Sequence, residues 1–154
     1  MNTMVWLARH GETLWAVEDK FNGLGDTDLT ERGRAQARGL AARLVGRPLV
    51  AVYCSTLRRT IETATIVAKP HGLEPEPLPA LREIDYGVWD GMQRQAIMDQ
   101  YPDLYAAWVG DPAAVAPPGG ETGYAALSRS MAALREIVAK HKGHDILIVA
   151  HKGI

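Results

Sequence analysis

Three short apolar runs dominate the hydropathy pattern, and each breaks into polar residues at its C-terminal end. Residues 5–8 run into Arg9-His10-Gly11, residues 49–53 into Cys54-Ser55-Thr56, and residues 146–150 into His151. Apolar runs of this length, bounded by polar and glycine positions, predict buried strands. Between them apolar residues recur at helical spacing. Thr30 is the predicted N-cap of a helix over residues 31–45, with Ala35, Leu40, Ala41 and Leu44 on one face. Residues 57–69 are predicted helical, stopped by Pro70 and Gly72. Residues 75–79 are expected to be extended and residues 81–91 to form a charged, aromatic loop. A helix over 93–108, a turn-rich connection over 111–120 and a long helix over 121–141 complete the pattern.

Apolar strands alternating with helices predict an α/β fold, a three-layer sandwich around a mainly parallel central sheet. In such sheets ligands bind beyond the carboxyl ends of the strands. Here that edge receives Arg9 and His10, Ser55 with Arg59 close behind, and His151. A length of 154 residues fits one domain. The net charge of −1 argues against non-specific binding of nucleic acid or anionic membranes. Neither a signal peptide nor a run of about 20 apolar residues is present, so a cytoplasmic protein is expected. A single cysteine, Cys54, excludes an internal disulfide and suits a reducing compartment; it reads as an inert buried thiol. No histidine or cysteine spacing typical of a metal site occurs, so neither metal nor cofactor is expected. His71, His141 and His144 read as surface or turn residues, and the four tryptophans as core or rim packing, with Trp15 placed to border a pocket.

Five motifs follow one another along the chain. They are Arg9-His10-Gly11-Glu12-Thr13; Ser55-Thr56-Leu57-Arg58-Arg59 with Thr63-Ala64; Leu81-Arg82-Glu83 with Tyr86-Gly87 and Trp89-Asp90-Gly91; Pro118-Gly119-Gly120-Glu121; and Ala150-His151-Lys152-Gly153. In this order they resemble the histidine phosphatase (phosphoglycerate mutase-like) superfamily, and the short 91–118 segment is similar to its small bacterial phosphatase branch. The resemblance implies a metal-independent phosphomonoesterase acting on a small phosphorylated metabolite through a phosphohistidine. His10 would be the nucleophile and Glu83 the proton donor, later the base. Arg9, Arg59 and His151 would hold the phosphoryl oxygens, with Asn22, Gly23 and Tyr86 bordering them. The residue types suit the task. A neutral imidazole can attack phosphorus, arginine offers a planar, permanently charged fork, and a carboxyl can protonate a leaving alkoxide. A free glutamate has a pKa of about 4.3, so Glu83 needs burial or nearby negative charge to carry a proton.

The sequence departs from the family at three places. Ala16 stands where an asparagine is common, Lys152 where glycine is frequent, and family domains continue with a helix and edge strands past the position of Ile154. A C-terminally incomplete single domain, residues 1–154, is therefore expected, with the His10 strand at a bare sheet edge. Two other functions compete. One is mutase-type phosphotransfer, disfavoured because residues 92–117 hold one basic residue, Arg94, against Asp99, Asp103 and Asp111. The other is a non-catalytic phosphate-binding or scaffold protein, possessing no obvious use for all five site residues. A homodimer is left open.

Overall fold

The computed structural model describes residues 2–154. Four strands, β1 (Met4–Arg9), β2 (Leu49–Cys54), β3 (Pro75–Pro77) and β4 (Asp145–Ala150), form one sheet in the order β1-β4-β2-β3, with every pair parallel. The expected α/β layering is present. β4, flanked on both sides, buries Ile146 through Ala150 on both faces. Its side chains alternate between two cores. Leu147 and Val149 pack with Val52, Cys54, Ala64 and Val67 under helices α2 (Glu31–Leu44) and α3 (Arg58–Ala68). Ile146, Ile148 and Ala150 pack with Tyr53, Ala133 and Ile137 under the last helix. β1 pairs only with β4 and is an edge among the described residues, as expected; Leu7 on it is 73% exposed.

Register is what builds the site. Arg9 lies opposite Ala150, Cys54 opposite Val149, and the His10 N–H donates to the Ala150 carbonyl at 3.1 Å. The residues that follow β1, β2 and β4 therefore emerge side by side.

Several element boundaries differ from the sequence pattern. A four-residue helix, α1 (Leu14–Val17), escapes the apolar pattern because its signal is the Thr13 cap rather than a stripe. α2 begins at the predicted Thr30 cap, whose hydroxyl accepts from Gly33 N–H, but its buried face is Gly33, Ala37, Ala41 and Leu44. Ala35 is exposed, because two residues from Ala37 is about 200° around a helix. The expected helix over 93–108 is two helices, α4 (Arg94–Gln100) and α5 (Pro102–Gly110). Pro102 disfavours helical geometry at the residue before it, and Tyr101 sits at φ −133°, ψ 49°; Pro102 itself suits the first position of α5. The last helix, α6 (Gly123–Lys140), starts after Thr122 caps Ala125 N–H, which leaves Glu121 free to accept from Arg129. Tyr101, Tyr105, Trp108, Phe21 and Tyr86 close around the fully buried Trp89, fixing α4 and α5 over the carboxyl edge of the sheet. No helix of the described residues is long and apolar enough to cross a membrane.

Candidate active site

His10 stands immediately after β1, where the chain turns tightly. A Cβ on Gly11 would collide with the Gly33 carbonyl, and one on Gly33 with the Glu12 carbonyl, so the N-terminus of α2 lies directly on this turn. Gly11 N–H donates to Thr63 Oγ1 at 3.1 Å. The His10 ring is buried, with Nδ1 2.7 Å from the Gly11 carbonyl. A carbonyl only accepts, so Nδ1 carries the proton and a neutral ring has its lone pair on Nε2. Burial, aided by Arg59 and Arg9 and opposed by the Gly11 hydrogen bond, lowers its pKa to about 4. The ring is therefore neutral at physiological pH.

His151 follows β4. Its ring centroid lies 5.2 Å from that of His10, edge-on, and its Nε2 lies 2.7 Å from Ser55 Oγ. Burial and the neighbouring Arg59, His10 and Arg9 push its pKa down to about 2. Arg59, in the first turn of α3, is wholly buried. It donates to the carbonyls of Gly25, Asn22 and Gly23, while the Asp90 carboxylate accepts from the N–H groups of Gly23 and Gly25. The 22–25 loop is thus clamped between a cation and an anion. Glu83 is buried, and its Oε1 accepts from Ile84 N–H at 2.9 Å and Gly153 N–H at 3.1 Å. Burial raises its pKa, against the pull of those donors and of Arg59 and Arg9.

A cavity of about 580 Å³ opens here, lined by Arg9, His10, Asn22, Glu83 and Tyr86 among others. Of the residues expected from the sequence, Arg59 and His151 are not among the lining, although the His151 ring adjoins that of His10, and Gly23 contributes its backbone to the clamp rather than a wall. Arg59 Nε, His151 Nδ1 and Asn22 Oδ1 are buried without a partner. Unpartnered buried polar atoms are costly and cluster at binding sites. Trp15 does not line the cavity; its ring packs where a Cβ on Gly25 or Gly91 would be. His141 is half-buried, with Nε2 2.9 Å from Tyr53 Oη rather than free at the surface.

Three features were not legible in the sequence. Ser55 and Thr60 form a buried hydroxyl pair behind His151. Arg129 on α6 reaches the carbonyls of Ala80, Arg82 and Glu83, anchoring the segment that carries the carboxyl. Its partners are backbone atoms some fifty residues away, so no side-chain pattern could reveal them. The charge count over 92–117 does not carry over to the cavity. Arg94 lines the cavity with its Nε 3.3 Å from the Asp19 carboxylate, which lines it too, whereas Asp99, Asp103 and Asp111 do not. Among the described residues no group of three or more His, Cys, Asp or Glu side chains could hold a metal ion.

The model of the histidine phosphatase superfamily (branch 1) matches residues 5–154. The chain belongs to that family. It is 36% identical over 145 residues to phosphoserine phosphatase 1 of Hydrogenobacter thermophilus, covering 94% of this chain and 69% of that protein. It is 32% identical over 151 residues to the adenosylcobalamin/α-ribazole phosphatase of Escherichia coli K12, covering 97% and 74%. Among solved structures, Bacillus stearothermophilus YhfR superposes with a TM-score of 0.94 at 37% identity, covering 98% of this chain and 75% of that one. The chain thus spans about two thirds to three quarters of the length of these histidine phosphatases.

Proposed function

We propose that this histidine phosphatase is a metal-independent phosphomonoesterase acting on a small phosphorylated metabolite in the cytoplasm. The observation that carries the reading is the state of His10, a neutral imidazole with Nδ1 tied to the Gly11 carbonyl and the Nε2 lone pair free, close to buried Arg59 and to Arg9. Arg9 and Arg59 neutralise the phosphoryl oxygens, and His151 adjoins them. His10 Nε2 attacks phosphorus; the ester P–O bond breaks and the leaving oxygen takes the Glu83 proton. Water, deprotonated by Glu83, then attacks the phosphohistidine and restores both residues. The raised pKa of Glu83 supports the acid role in the first step. Asn22 completes the cradle by rotating its amide. Nδ2 now donates to Thr13 Oγ1 at 3.0 Å; after rotation the Thr13 hydroxyl donates to Oδ1 and Nδ2 turns toward the anion. Tyr86 supplies wall area to the leaving group. Cys54, buried and free, suits a reducing compartment.

His10→Ala abolishes turnover and removes any acid-labile phosphoprotein, and chelators leave the wild type unaffected. Retained turnover in that variant would exclude the phosphohistidine route. Phosphoserine and α-ribazole phosphate, taken from the relatives' names, head the substrate screen. Mutase chemistry is the second reading, favoured by Arg94 in the cavity wall. Incubation with 3-phosphoglycerate and a bisphosphoglycerate primer decides between them: isomer forming much faster than free phosphate would overturn hydrolysis.

A further inference from the structure

The buried hydroxyls behind His151 fix where its proton sits. Thr60 Oγ1 lies 2.8 Å from the Leu57 carbonyl and 3.0 Å from the Ser55 carbonyl, both of which only accept. Its single hydrogen therefore points to a carbonyl, and its oxygen is left to accept from Ser55 Oγ, 2.7 Å away. Ser55 Oγ has then given its only hydrogen to Thr60. It also accepts from Leu57 N–H at 3.2 Å, so its remaining contact, His151 Nε2 at 2.7 Å, must be the donor. The opposite direction would leave the Thr60 oxygen against two carbonyls with no hydrogen between them. All three side chains are buried, so water does not relieve that arrangement.

His151 Nε2 thus carries the ring proton, and Nδ1, buried and unpartnered, is a bare lone pair. The ring stands edge-on to that of His10, centroids 5.2 Å apart, so a phosphoryl group at His10 would lie beside it, and a bare lone pair repels a phosphate dianion. We propose that Ser55 is a positioning residue that locks His151 in the Nε2–H tautomer. A phosphomonoester is consequently bound with one proton shared between a phosphoryl oxygen and His151 Nδ1. The inference rests on the phosphatase reading of the site. In the shared state the phosphoryl O–H bond lengthens toward Nδ1; the oxygen keeps its electron pair and the imidazole contributes its own. The proton comes from the monoanionic ester, or from solvent when the ester arrives as a dianion. The charged and titratable groups around His151 are Arg59 on α3, His10 and Arg9 at the end of β1, and Arg129 on α6. Three of these four are permanent cations, which keeps His151 neutral until the anion arrives. The two histidines then hold opposite tautomers, His10 with Nδ1–H and His151 with Nε2–H. One is armed as a nucleophile and the other as a proton acceptor.

Two measurements test this. In phosphate-free protein carrying isotope-labelled histidine, long-range proton–nitrogen correlation spectra read the tautomers directly. Nε2–H at His151 is expected; Nδ1–H there overturns the proposal, whatever any variant does. Calorimetry with inorganic phosphate, at about pH 8 in buffers of unlike ionisation enthalpy, reads the proton uptake that accompanies binding. About one proton per phosphate is expected, retained in Glu83→Gln and lost in Ser55→Ala while phosphate still binds. Binding without uptake, or uptake lost in Glu83→Gln and kept in Ser55→Ala, overturns it. Persisting turnover in His10→Ala would instead bring down the phosphatase reading itself.

Discussion

At the scale of single residues, the site depends on backbone donors as much as on charged side chains. Glu83 is held by two N–H groups, and a Cβ at Gly153 would lie 2.6 Å from its Oε1. That oxygen ends a flexible side chain and can move aside, but the same Cβ would lie 2.8 Å from Cδ1 of buried Ile84, so Gly153→Ala displaces the carboxyl and also presses on the core. We expect kcat to fall about 10²-fold, the size of a lost general acid, with at most a small drop in the urea midpoint; a shifted midpoint with normal kcat would contradict the assignment. The buried histidines also tie stability to pH. The folded pKa of His10, about 4, lies below its ordinary 6.5. As pH falls below 6.5 the unfolded chain takes a proton that the folded one refuses, so stability is lost down to pH 4, by about 3 kcal/mol. His151 acts in the same direction to lower pH. Glu83 runs the other way, since its raised pKa favours the fold below 4.5 and costs stability as pH rises through its folded value. Urea unfolding at about pH 7.5 and about pH 5 should show a drop that His10→Asn reduces; an equal drop in that variant would assign it elsewhere.

At the scale of elements, the decisive contact is α2 against the turn that bears His10. Gly33 faces that turn with no room for a methyl group, whereas a Cβ at Gly39, two turns along the same helix, meets nothing. Gly33→Ala should destabilise by about 1–3 kcal/mol through overpacking and lower turnover by moving His10. Gly39→Ala should stabilise by about 0.4–1 kcal/mol with turnover unchanged. Thermal unfolding and initial rates of the pair check this, and similar behaviour of both variants would refute the close-packing account. Sequence patterning foresaw α2 and its cap but not this contact. Glycine in a helix carries no hydropathy signal, and the partner turn lies twenty residues earlier. The break at Tyr101 was written in Pro102, yet the apolar spacing on either side read through it as one helix.

At the scale of the whole molecule, the three strands were legible because β1, β2 and β4 are apolar runs that end in polar residues, and parallel order followed from the alternation with helices. His10, Glu83, Arg9, Arg59 and His151 were named from motifs, and four of them are buried around one point. What the pattern could not give was depth. Arg59 and His151 are buried, Arg59 held by the carbonyls of the 22–25 loop and His151 by the hydroxyl of Ser55. The charge count along 92–117 likewise was not the charge of the cavity, because Arg94 at the start of α4 borders it, paired with Asp19, while Asp99, Asp103 and Asp111 are exposed away from it. The sheet order has a further consequence under heat. His10, the proposed nucleophile, hangs from β1, an edge strand among the described residues, bonded on one side and largely uncovered, while His151 hangs from β4, an inner strand and the most buried. Edge strands open locally at lower free energy than central ones. Amide hydrogens of β1 should therefore exchange faster than those of β4. On warming, catalysis should fade several degrees before the helices melt, so the enzyme loses its chemistry while still folded.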